Sequence, residues 1–181
     1  MTEGVLYAVL MPIERQKRTK RPGNGGAAMS KKVIDLLNRA RGQELMAIIQ
    51  YMAQHYQLED QDFGKLGSKI KAVAIEEMKH AEMLAERIRF LGGTPTTKPD
   101  GEVAKDQDIP AMYKTDVDLE KEAVRMYNEA AVVCGEEGDH VSKKLFEQLL
   151  ADEEKHLDYF DNVQGHIKMM GNAFLANQTG D

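Results

Sequence analysis

Two short stretches decide how this chain folds: Glu77-Met78-Lys79-His80 and Glu153-Glu154-Lys155-His156. In each, a Glu and a His stand three residues apart, the spacing that puts two side chains on one face of a helix. One such pair is weak evidence, because charged segments of this kind are common on helix surfaces. The two pairs here belong to a larger repeat. Glu44 lies 33 residues before Glu77, and Glu120 lies 33 residues before Glu153. Tyr51 follows Glu44 by seven, and Tyr127 follows Glu120 by seven. The pairs 44/120, 51/127, 77/153 and 80/156 all share an offset of 76. The chain therefore contains one helical hairpin design twice.

The apolar pattern says where these groups point. Ile70, Val73, Glu77, His80 and Leu84 fall on one stripe, as do Leu149, Glu153, His156 and Phe160. Glu44 runs with Ala40, Ala47, Ile48 and Tyr51. The carboxylates thus sit on faces that pack inward. Four carboxylates buried together repel one another and take up protons unless cations compensate. Two divalent metals balance four carboxylates, with two neutral imidazoles completing the shell. Hard oxygen with some nitrogen suits iron or manganese better than soft metals.

Periodicity outward from these stretches gives an all-α chain of four long helices. The expected spans are 30–58, with Ser30 as N-cap, then 63–91, 116–134 and 140–164, with Asp139 capping the last. A short fifth helix is expected within 165–176, with Ile167, Met170 and Phe174 on one face. Glu59–Asp62 reads as a tight turn, Gly92–Gly93 as a helix stop, and Gly135–Gly138 as a second turn. The proline-bearing stretch 92–115 has no long periodic run, yet it can span a whole bundle and start the third helix parallel to the second. Short, long and short connections make a four-helix bundle with one crossover.

Composition agrees with one ordinary domain. The chain has 181 residues, 42% hydrophobic and 30% charged, with no apolar run near the roughly 18 residues of a membrane span. The single cysteine, Cys134, forms no internal disulfide or thiolate metal site and reads as a small buried residue in a reducing compartment. Residues 1–28 carry five basic and two acidic residues, leaving the body at net −9. That body disfavours nucleic acid and anionic lipid. The basic, glycine-rich segment 1–28 is expected to be a disordered extension, with Met29 the favoured native start, and 29–181 the folded domain.

At these motifs the chain resembles the bacterioferritins, over about Met29 to the C-terminus. The ferritin-like bundle is carried by Glu44, Glu77, His80, Glu120, Glu153 and His156, and the string Glu-Met-Lys-His-Ala-Glu narrows it to bacterioferritin. The resemblance implies a ferroxidase: two iron ions per subunit, Glu44 and His80 on one, Glu120 and His156 on the other, Glu77 and Glu153 bridging. It implies dioxygen or peroxide as oxidant, ferric mineral in a cytoplasmic shell of twenty-four subunits built from dimers, and a ferredoxin as electron donor. It also reverses the plain reading of Met78. Spacing alone makes Met78 a packing residue flanked by Ala74, Ala81 and Ala85; the family makes it an axial ligand of a haem shared between two subunits. Tyr51 and Tyr127 are expected to hydrogen-bond ligand carboxylates. Glu76 and Asp152 stand behind the bridging residues or face the cavity. Some bacterioferritins carry a cavity-side His where this chain has Ala72, which argues against a relay iron site there. His55, His140 and His166 lack partners at ligand spacing and read as surface or interface residues. A rubrerythrin-like peroxide reductase and a di-manganese catalase-type enzyme remain alternatives on the same bundle, although one cysteine rules out an attached rubredoxin-type domain. A metal-free structural bundle is the alternative of a different class.

Overall fold

The computed structural model describes residues 31–180. The extension expected at 1–28 and the Ser30 cap lie outside the described residues. The chain forms α1 (Lys31–Asp60), α2 (Gly64–Phe90), α3 (Ile109–Glu136), α4 (His140–Met170) and the short α5 (Asn172–Ala176). Among the described residues there is no strand, and no helix is long and apolar enough to cross a membrane.

The hairpins α1/α2 and α3/α4 are the most extensively packed pairs. The first turns through Asp62 at φ 64°, with the Phe63 N–H returned to the Leu58 carbonyl at 2.8 Å. The second turns through Gly138 at φ 73°. Asp139 then caps α4 by accepting from the Ser142 N–H at 2.9 Å, and Arg87 of α2 donates to the same carboxylate at 2.5 Å.

Apolar packing forms two separate clusters. One gathers Tyr51 and Leu58 of α1, Leu66 to Ala74 of α2, Ile109 to Val117 of α3, and Phe160 to Ile167 of α4. The other gathers Val33 to Ala40 of α1, Leu84 and Ile88 of α2, Met126 to Cys134 of α3, and Phe146 and Leu149 of α4. Cluster membership fixes the directions. The N-terminal halves of α2 and α3 share one end, so these helices run parallel and residues 91–108 travel the length of the bundle. That length is roughly 40 Å for a helix the size of α2.

Polar side chains of α1 hold this crossover. Asn38 accepts from the Thr96 N–H at 2.7 Å and donates to the Thr94 carbonyl at 3.2 Å. Gln50 makes the same two-way pairing with the backbone of Ala104, at 2.8 and 3.1 Å. Gln57 donates to the Gln107 carbonyl at 2.7 Å. Between them the Asp100 N–H reaches the Gly42 carbonyl at 2.8 Å. A Cβ at Gly42 would stand 3.1 Å from the Asp100 Cβ, so this close approach favours glycine.

Three expectations are corrected. Helix α3 starts at Ile109, not near Asp116. Pro110 opens the helix, because in the first turn its missing N–H has no helical partner to lose, and Asp108 caps by accepting from the Ala111 N–H at 2.9 Å. Helix α4 runs through Gly165 to Met170 instead of ending at 164. An interior glycine costs only about 1 kcal/mol, and Val163 and Ile167 keep the buried stripe going. Ile167 and Met170 therefore belong to α4, and Gly171, at φ 54°, makes the break. His55 is buried, not a surface residue. It lies where α1 meets α2 at Gly67, its Nδ1 3.0 Å from the Gly67 carbonyl oxygen. His140 and His166 are exposed as expected.

The α3 cap gives a direct check. Asp108→Ala should destabilise the protein by about 1 kcal/mol in chemical denaturation, the usual cost of an N-cap, and leave metal binding intact.

Candidate metal centre

The six polar residues singled out by the repeat converge between the two apolar clusters. On every long helix they fall between the segments feeding one cluster and those feeding the other: Glu44 on α1, Glu77 and His80 on α2, Glu120 on α3, Glu153 and His156 on α4. All six are buried. They form two overlapping groups, each with ligand atoms within 4.8 Å of one another: Glu44, Glu77, His80 and Glu153 in one, Glu77, Glu120, Glu153 and His156 in the other.

Both imidazoles turn Nδ1 inward. His80 Nδ1 lies 2.8 Å from Glu77 Oε2 and 3.0 Å from Glu153 Oε1. His156 Nδ1 lies 3.0 Å from Glu77 Oε1 and 3.5 Å from Glu153 Oε2. These contacts are ion pairs whose alignment is poor for hydrogen bonding. Both oxygens of Glu77, Oε1 of Glu153 and both Nδ1 atoms are buried without a hydrogen-bond partner. Buried polar groups are rarely left so. Atoms crowded round two common points, and misaligned for bonding one another, fit cations at those points.

The electrostatics of the metal-free centre tell the same story. Burial, with Glu153 and Glu77 adding to it, pushes Glu44 and Glu120 well above the carboxylate range. Burial also favours a neutral imidazole, but Glu153 and Glu77 outweigh it and lift His80 to about 9 and His156 to about 12. Glu153 goes the other way: burial would raise it, yet the two histidines hold it down at about 2. In the absence of a cation, protons would supply the compensating charge.

The surrounding side chains pair crosswise. Tyr51 of α1 donates to Glu120 of α3, and Tyr127 of α3 donates to Glu44 of α1. Each tyrosine meets a carboxylate of the other hairpin, as the expected bond but not to the residue seven positions before it. Glu76 of α2 lies against His156 of α4, Oε2 to Nε2 at 2.8 Å. Asp152 of α4 lies 3.7 Å from His80 Nε2 of α2. A cavity of about 190 Å³ reaches Glu44, Glu77, Glu120 and Glu153, with Asp100 of the crossover also on its wall.

Met78 leaves this face and is 54% exposed on α2. Ala74 and Ala81 flank it on the same helix. Both are buried against the chain's own bundle, and the exposed apolar neighbour one turn away is Ile75. The alanines lie round the helix on the inward side of Met78, and Ile75 on the outward side. Cys134 is buried, and burial pushes its thiol up to about 11, so it is an unreactive core residue. One buried pair escaped the sequence pattern. Gln54 donates to Asp116 at 2.8 Å, and burial raises the Asp116 carboxyl well above its usual range. The available signal was register: Asp116 stands one turn before Glu120 on α3.

Residues 34–170 match the model of the ferritin-like domain. The bacterioferritin of Desulfovibrio desulfuricans is 47% identical over 149 residues, covering 82% of this chain and 83% of the relative. The chain belongs to the bacterioferritin family. The bacterioferritin of Brucella melitensis is 38% identical over 140 residues, covering 77% of this chain and 87% of that one. Among solved structures, an X-ray structure of the Desulfovibrio bacterioferritin, described by its diiron site in different catalytic states, superposes with a TM-score of 0.84 at 45% identity. It covers 86% of this chain and 92% of that chain.

The centre makes stability without metal depend on pH. A histidine raised in the folded state stabilises the fold below its unfolded pKa and ceases to as pH climbs through its folded value. For His80 that window runs from 6.5 to about 9. The thermal midpoint of metal-free protein should therefore fall across this range. The midpoint with bound divalent metal should fall less, because metal replaces the protons; parallel curves would speak against a shared site.

Proposed function

We propose that Glu44 and His80 hold one iron, Glu120 and His156 the other, and Glu77 and Glu153 bridge the two. The observation that carries this assignment is the sharing of Glu77 and Glu153 by both ligand groups. The function is iron storage with ferroxidase activity: the protein oxidises Fe(II) to Fe(III) at a di-iron centre. Each of two Fe(II) ions gives up one electron, with dioxygen or peroxide as acceptor. The bacterioferritin relatives put iron ahead of the manganese and peroxide-reductase alternatives.

What the chain's own residues do follows from their placement. Four carboxylates in an apolar surround favour the higher positive charge, and so Fe(III) over Fe(II). Tyr51 and Tyr127 hold Glu120 and Glu44 from the opposite hairpin, fixing the two terminal carboxylates. The inward Nδ1 atoms of His80 and His156 are free to ligate in the neutral form, so loading displaces the protons they carry without metal.

Beyond the centre, ferric mineral collects inside a homo-oligomeric shell of twenty-four subunits in the cytoplasm, with a ferredoxin as electron donor. Met78 would hold a haem shared across a two-fold dimer. Its thioether stands clear of the subunit's core, next to exposed Ile75 on α2, which fits a ligand completed by a second copy. Bound haem supplies a one-electron couple.

Glu77→Ala or His156→Ala should abolish rapid Fe(II) oxidation, followed as ferric absorbance, while far-ultraviolet circular dichroism stays helical. Oxidation at the wild-type rate would refute the assigned centre. Met78→Leu should leave that oxidation in place and remove Soret absorbance from the cage-sized peak in size exclusion; a retained Soret band would remove Met78 as the haem ligand.

A further inference from the structure

The two halves of the centre are matched in ligand type but not in what stands behind their histidines. In each half one Glu, one His and the two shared carboxylates converge, and a tyrosine from the opposite hairpin holds the terminal Glu. Behind His156, Glu76 Oε2 lies 2.8 Å from Nε2, at hydrogen-bond distance. Behind His80, Asp152 Oδ2 lies 3.7 Å from Nε2, beyond it. Asp152 is engaged elsewhere, its other oxygen accepting from Lys155 at 2.7 Å.

We propose that Glu76 is a positioning residue for His156, and that it makes the Glu120–His156 half the first to take up a metal. This rests on the di-metal assignment above. With Nδ1 aimed at Glu77 and Glu153, the ligating tautomer carries its hydrogen on Nε2. Glu76 accepts that hydrogen, fixes the tautomer and the ring plane, and makes Nδ1 a stronger donor. Among the described residues His80 Nε2 has no carboxylate so close, so its ring must find its tautomer and orientation as metal arrives. Partners of this kind change metal affinity by roughly 10- to 100-fold, and the two binding steps should differ by that factor.

The test is Co(II) titration of the metal-free, assembled, full-length protein by calorimetry. Anomalous diffraction from crystals given one Co(II) per subunit then locates the ion. The expected result is cobalt in the Glu120–His156 half and two resolved steps. In Glu76→Ala the tighter step should weaken by roughly 10- to 100-fold and cobalt should divide between the halves. Glu76→Gln, which keeps an acceptor, should recover part of the order, and Asp152→Ala should leave the order as it is. The Glu76 side chain is 52% exposed, so these changes spare the core. Cobalt entering the Glu44–His80 half first, or an order unchanged in Glu76→Ala, overturns the proposal. Failure to bind Co(II) at all overturns the di-metal assignment itself.

Discussion

Four carboxylates held together inside an apolar bundle are the constraint around which this molecule is arranged. Glu44, Glu77, Glu120 and Glu153 are each nearly inaccessible to water. Burying a charge without compensation costs far more than any single packing contact returns. Without metal, the protein offsets this by favouring the protonated forms of His80 and His156 and of Glu44 and Glu120. The apolar core is divided accordingly. It does not run continuously down the bundle but forms one cluster above the polar layer and one below, so the layer sits where two packed bodies hold its geometry from both sides.

Crosswise pairing then joins the hairpins. The backbones approach most closely within α1/α2 and within α3/α4, and side chains of all four helices meet in each apolar cluster. The polar bonds run from one hairpin to the other. Tyr51 reaches Glu120, Tyr127 reaches Glu44, and Glu76 reaches His156. The exchange follows from the repeat. Seven residues carry Tyr51 about 10 Å along α1 from Glu44, into the cluster at one end; Tyr127 moves as far along α3 into the cluster at the other. Each tyrosine is thereby taken away from its own hairpin's glutamate and meets the glutamate of the other.

That exchange marks how far the sequence could be read. The two Glu-x-x-His motifs, the offset of 76 and the apolar stripes point to the helices, the buried face and the six clustered residues, because each depends on spacing along a single helix. Which tyrosine meets which glutamate depends on how two helices are placed, and spacing carries none of that. The start of α3 was hidden because Pro110 breaks a helix interior but opens a helix readily. Gly165 misled in the same way, since the burial of Val163 and Ile167 outweighs its weak propensity. His55 and the Gln54–Asp116 pair are buried polar groups that each meet a polar neighbour from another segment, and only the packed chain brings that neighbour into view.

The long crossover follows from the same symmetry. The repeat equates α1 with α3 and α2 with α4, and the clusters show that equivalent helices run in opposite directions. A two-fold relation through the metal layer, perpendicular to the bundle, has this consequence. It exchanges the two ends, so the second hairpin starts at the end opposite the first. Since α2 finishes at the end where α1 began, the chain must travel the whole bundle before α3 can start. A tight turn there would reverse α3 and place Glu120 on the wrong side of the layer. The amide pairings of Asn38 and Gln50 with the crossover backbone secure the connection that this symmetry demands. The symmetry is approximate, and where it fails the two metal positions become distinguishable. The offset places Glu76 opposite Asp152, a longer carboxylate opposite a shorter one, and only the longer reaches its histidine. The difference of one methylene between two equivalent positions is enough to give the halves of a nearly symmetric centre unequal hold on their metals.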